Sequence, residues 1–220
     1  MRFARHASRS LLALLLLPLA LLVPLGPAHA AQVEPVILVH GWYGSASNMT
    51  DLATALNQAG YRAYTINLPG QENVANARAI GDLVTKARNE TGAAKVSLVG
   101  HSMGGLSTRH YIKFMGGTNT VRAYVSMGTG QHGYQPACSL GEWFGGQMCP
   151  TNKFILDLNA GDQTPGDVAY TTLYSTKDEA KEPLVGAWCS REIPDVNHAD
   201  EPKSPLFIDA TKKALSGVCP

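Results

Sequence analysis

The pentapeptide Gly100-His101-Ser102-Met103-Gly104 sets a serine between two glycines, directly behind the apolar run Val96-Ser97-Leu98-Val99. This is the pattern of a tight strand-to-helix turn that pushes a serine hydroxyl outward as a nucleophile. So sharp a turn leaves no room for side chains beside the serine. Glycines at 100 and 104 relieve that crowding while the backbone stores strain. The residues that follow, with Leu106, Tyr111, Ile112 and Met115, are compatible with a helix.

A serine hydroxyl is a poor nucleophile near neutral pH, so a base must take its proton, and histidine has the suitable ordinary pKa. Beyond residue 30 the histidines are His40, His101, His110, His132 and His198. His101 belongs to the serine turn and His40 to a strand-end turn. His110, seven residues along the helix from Met103, reads as structural. On turns of this type the acid precedes the histidine and both follow the serine, which selects His198. Reactive groups of a parallel sheet gather at the carboxyl ends of its strands. Asp178 therefore fits best as the acid, because it follows the strand-like Tyr170-Thr171-Thr172-Leu173-Tyr174 by a short turn. Asp195 ranks next and Glu179 third, while Asp162 and Asp167 precede that strand.

An acyl-transfer reaction also develops negative charge on the carbonyl oxygen, which two backbone N–H groups must meet. Met103, next to the serine, supplies one. Trp42 supplies the other from the turn Val39-His40-Gly41-Trp42.

The elements that must position these groups alternate in type. Residues 35–39 read as a buried strand, followed by a helix starting at Asn48 with Asp51 as its capping-box partner and Leu52, Ala55, Leu56 and Ala59 inward. A strand over 61–66 leads to a helix over 77–90, with Ile80, Leu83, Val84 and Ala87 inward. Further strands are expected over 121–126 and 168–174, with a short helix over 152–158 between them. Ser204-Pro205 opens the last helix, with Leu206, Phe207, Ala210 and Leu215 near one face. Apolar strands alternating with helices imply an α/β fold, a mainly parallel sheet with helices on both faces.

The first thirty residues stand apart. Arg2, Arg5 and Arg9 precede the apolar stretch 11–25, and Ala28-His29-Ala30 follows, as in a secretory signal cleaved after Ala30. That stretch, broken by Pro18 and Pro24, is shorter than the ~20 residues of a spanning helix, so no transmembrane segment is expected. The absence of an Arg-Arg pair favours ordinary export over the twin-arginine route. Residues 31–220 then form a single catalytic domain. Losing three arginines turns 18 basic residues into 15 against 17 acids, which offers no basic patch for nucleic acid. Cys138, Cys149, Cys189 and Cys219 all lie in the exported part, where an even count reads as two disulfides. Of three connectivities, 138 with 149 and 189 with 219 is favoured. The first closes a short Gly-rich loop and the second ties down the C-terminal end. No C-x-x-C or His-x3-His spacing points to a metal.

Four segments taken in order, Leu38 to Trp42, Gly100 to Gly105, Tyr174 to Asp178 and Asn197 to Asp200, resemble secreted bacterial lipases of the class 2 type, across nearly all of residues 34–215. The resemblance implies a compact α/β-hydrolase with a six-stranded core and no obligatory cofactor. It also implies hydrolysis of acylglycerols and simpler esters through an acyl-serine intermediate, with Ser102, Asp178 and His198 as the triad and Trp42 and Met103 as the oxyanion hole. A monomer acting on an ester or lipid substrate, at a lipid–water interface where one exists, is expected. The alternatives are an esterase or polyesterase on short or polymeric esters, or an acyltransferase or amidase using the same triad. Gly130 stands where the family's Gly-Thr-Pro turn has proline. Trp143 and Phe144, adjacent and flanked by glycines, either form a mobile flap for a lipid surface or pack over the 138–149 loop.

Overall fold

The computed structural model describes residues 33–179 and 183–220; the expected signal segment lies outside them. The element order is β1 (Pro35–Val39), α1 (Thr50–Gln58), β2 (Arg62–Ile66), α2 (Asn73–Thr91), β3 (Val96–His101), α3 (Met103–Phe114), α4 (Gly117–Thr120), β4 (Val121–Met127), α5 (Lys153–Asn159), β5 (Ala169–Ser175), β6 (Cys189–Ile193) and α6 (Pro205–Leu215). The six strands form one sheet in the order β2-β1-β3-β4-β5-β6, and every pairing is parallel.

Parallel strands need helical crossovers, so both faces are covered and the central strands are apolar throughout. Successive residues of β1 consequently feed two different cores. Val36 and Leu38 pack with Leu52 and Leu56 of α1 and Phe207 and Leu215 of α6. Ile37 and Val39 pack with Ile80 and Val84 of α2 and Ile112 of α3. The edge strand β6 has the middle of its Cys-Ser-Arg-Glu-Ile sequence exposed and only its ends buried. That sequence carries three polar residues and no apolar run, so it lies outside the five strands that apolar patterning marks.

Several boundaries move for local reasons. The first helix begins not at Asn48 but with a 3-10 turn, Ala46–Met49, and the capping box lies at Ser45, whose N–H donates to Asn48 Oδ1 at 2.7 Å. Ala59 and Leu206, expected inward, are exposed at the end of α1 and the start of α6. The α2 helix starts one turn earlier than expected, at Asn73, because the Asn73 N–H is met by Gln147 Oε1 at 2.6 Å. It ends at Gly92, whose left-handed φ of 71° lets its N–H reach Arg88 O.

Both favoured disulfides form, Cys138–Cys149 and Cys189–Cys219. Behind the serine turn, the buried Arg109 of α3 donates to Gln131 O and Oε1, Leu158 O and Asn159 Oδ1 at 3.0 to 3.3 Å. One turn on, Lys113 donates to Leu158 O and Ala160 O. Two cations thus meet the carbonyl end of α5, where the helix dipole favours them, and lock α5 against α3.

Candidate active site

The chain runs from β1 to β2 on one side, then crosses back to β3 on the other. This reversal opens a crevice at the carboxyl ends of β1 and β3, where Val39 is in register with Gly100. The serine turn and the His40-Gly41-Trp42 turn therefore emerge side by side.

At Ser102 the backbone takes φ 54° and ψ −127°, a conformation that costs a non-glycine residue and persists only where its surroundings enforce it. Here Ser102 N–H donates to Met127 O at 2.8 Å, and Ser102 O accepts from Gly105 N–H and Thr129 Oγ1, each at 3.0 Å. The flanking glycines are required by close approach. A Cβ on Gly104 would strike the carbonyl oxygens of Val39 and His40, and one on Gly100 would strike the backbone of Gly105. Thr129 of the Gly-Thr-Gly turn fills the space left free by Gly105.

The second turn touches the first. A Cβ on Gly41 would sit 2.8 Å from Ser102 Cβ. A cavity of about 540 Å³ opens between them, lined by Trp42, Ser102, Met103, Asp178 and His198 among others. All five residues expected from the sequence thus border one space, which Leu106 and Met148 make largely apolar.

Asp178 follows β5 by a tight turn in which its own N–H donates to Ser175 O and its Oδ2 accepts from Ser175 N–H at 2.9 Å. Its Oδ1 lies 3.0 Å from His198 Nδ1. Asp178 is only 6 % exposed. Burial alone would push its carboxyl up, but the hydrogen bond with His198, the neighbouring Glu201 and the Ser175 amide N–H outweigh it and hold the group below its ordinary value. The runner-up acids go elsewhere. Asp195 is an exposed turn residue with φ 57°, whose N–H donates to Thr176 Oγ1; Glu179 is exposed at the cavity rim. His110 stacks on Phe154 and lies tilted against Phe114, in keeping with a structural role.

His101 Nε2 lies 2.9 Å from His198 O and so must donate to it, tying the serine turn to the histidine loop. Burial, reinforced by the neighbouring His198, lowers the His101 pKa to about 3, so this ring stays neutral. One residue escaped the sequence reading. Glu201 is fully buried beside both rings, with Oε2 3.4 Å from His101 Nε2 and 3.7 Å from His198 Nδ1. Its signal was the three-residue spacing from His198, one turn of the 3-10 segment His198–Lys203. Side chains three apart eclipse in such a helix.

The sheet order, the crevice and the strained serine turn define a hydrolase-type α/β fold, and the chain belongs to the alpha/beta hydrolase fold family, which it matches over residues 34–148. Over 92 residues it is 36% identical to a triacylglycerol lipase of Pseudarthrobacter phenanthrenivorans, covering 37% of this chain and 29% of that protein. The same identity and length hold for a triacylglycerol lipase of Burkholderia plantarii, with 37% and 26% covered. The chain thus spans less than a third of the length of these relatives. The mature form of the Bacillus licheniformis lipase BlEst2 is similar in fold, with TM-score 0.66, 18% identity, and 85% of this chain and 91% of that chain covered.

Proposed function

We propose that this chain is a secreted serine carboxylic-ester hydrolase, a lipase acting on acylglycerols and simpler fatty-acid esters. Ser102 Oγ attacks the ester carbonyl while His198 Nε2 takes its proton. Asp178, at Nδ1, fixes the tautomer and stabilises the imidazolium. The oxyanion is met by the N–H groups of Met103 and Trp42. His198 then protonates the departing alcohol, leaving an acyl-serine, and a water deprotonated by the same imidazole releases the fatty acid and restores the serine.

The observation that carries the reading is the 3.0 Å contact between His198 Nδ1 and Asp178 Oδ1 on the wall of the cavity that Ser102 borders. The apolar lining and the relatives' names support an acyl substrate. Two disulfides are compatible with an extracellular protein, and among the described residues no helix is long and apolar enough to cross a membrane. In the proposed form, residues 31–220 act as the mature, monomeric catalytic domain.

The test combines titration with a serine-directed phosphonate and turnover of p-nitrophenyl esters of rising chain length and of a triolein emulsion, for wild type and Ser102→Ala. Stoichiometric labelling of Ser102 with turnover of both substrate kinds is expected, and the variant loses both. Labelling without turnover of any ester would point to an amidase or acyltransferase. No labelling would overturn the reading.

A further inference from the structure

Two carboxyl groups converge on one ring nitrogen, Asp178 at 3.0 Å and Glu201 at 3.7 Å from His198 Nδ1. Two ionised carboxylates there would place two negative charges under an imidazole that can carry only one positive charge, in a pocket from which Glu201 is entirely withdrawn from water. Nor does Glu201 have a donor of its own among the described residues: the nearby Ser175 N–H, which pulls its carboxyl somewhat down, is bonded to Asp178 Oδ2 at 2.9 Å. His198 Nδ1–H is committed to Asp178 and His101 Nε2–H to His198 O, each at a shorter distance. Among the described residues, no N–H or hydroxyl group donates a formed hydrogen bond to either Glu201 oxygen. An ionised carboxylate so placed would be desolvated without compensation.

Resting on the reading of His198 as the base, we propose that Glu201 is a positioning residue that works as a neutral carboxylic acid. It turns its proton toward the Asp178 carboxylate and leaves a single negative charge beneath the imidazole. The consequence is chemical. A second negative charge would stabilise the imidazolium and so oppose the neutral ring that must accept the serine proton. The protonated Glu201 fills the same volume without that charge and disperses the charge of Asp178. Consistently, burial first and Asp178 second raise the Glu201 carboxyl to about 10, while the hydrogen bond from Glu201 helps hold Asp178 low. Gly128 is part of the arrangement, since a Cβ there would collide with Glu201 Oε2 and crowd His198 Nδ1.

The titratable groups facing Glu201 are Asp178, His198 and His101. Asp51 of α1 and Asp209 and Lys213 of α6 are exposed, Lys212 is half-buried, and Asp200 and Lys203 on its own segment are exposed. The first test needs no ester turnover. Melting temperatures of wild type and Glu201→Gln are compared from pH 5 to pH 8.5. If the native group keeps its proton, the wild type is penalised increasingly as pH rises above the ordinary carboxyl range, so the advantage of the glutamine variant grows with pH. A difference that is flat or shrinks with pH overturns the proposal, whatever reaction Ser102 performs.

The second test is the pH profile of kcat/KM on a soluble p-nitrophenyl ester. Glu201→Leu, which removes the donor to Asp178, moves the acid limb upward, and Glu201→Gln restores it to the wild-type position. A fall of the acid limb by a pH unit or more in Glu201→Gln would mean that a negative charge had been removed, and the proposal would be wrong.

Discussion

His40 Nε2 accepts the Leu68 amide N–H at 3.0 Å, and its Nδ1 lies 2.8 Å from Gly41 O, to which it must donate. One neutral ring thus clamps the turn carrying Trp42 to the loop after β2. Burial lowers the His40 pKa and so favours that neutral form. With His40→Ala the Gly41 peptide loses its anchor and the Trp42 N–H drifts from its proposed place at the oxyanion. kcat for ester hydrolysis should fall by about 10-fold to 100-fold, below the full loss of one oxyanion donor, with KM little changed. Steady-state kinetics on a soluble ester decides this.

The proposed triad acid is testable by exchange of charge for amide. Asp178→Asn should reduce kcat about 10⁴-fold by disfavouring the required tautomer, while Asp195→Asn stays within about twofold. If the two results were reversed, the carboxylate assignment would be wrong.

The neutrality of His101 makes stability depend on pH. Its folded pKa of about 3 lies below the ordinary 6.5, so between those values the unfolded chain binds a proton that the native state refuses. The contribution is complete above pH 6.5 and is lost on acidification, by about 1.4 kcal/mol per pH unit. His101→Gln can still donate to His198 O, and should flatten that acid-side loss. Urea unfolding of both proteins at pH 7.5 and pH 5 measures the difference.

Trp143 is 75 % exposed and Phe144 60 % exposed, so these rings do not pack over the 138–149 loop. The segment is nonetheless fastened to the cavity rim, where Trp42 Nε1 donates to Phe144 O at 3.1 Å. Trp143→Ala should lower the rate on triolein emulsion several-fold and leave short soluble esters unaffected. Equal responses to micellar substrate in wild type and variant would remove the role in surface contact.

How much of this was readable beforehand depended on locality. The serine turn is legible because sterics within five residues force two glycines, and the helices are legible because apolar residues recur along them. Asp178 and His198 could be ranked from their order after Ser102. Strand β6 was hidden because an edge strand needs few apolar residues. Asn73 was hidden because its helix cap comes from Gln147, far along the chain. Glu201 was hidden because glutamate usually marks a solvated surface, and only the packing of three segments turns this one inward.

The Cys189–Cys219 bond encloses the proposed base, His198. Between those two sulfurs runs the whole stretch bearing His198, so a protease cutting once anywhere within it would leave two pieces still fastened together. The nicked molecule would migrate as an intact chain until a thiol reductant released the C-terminal fragment.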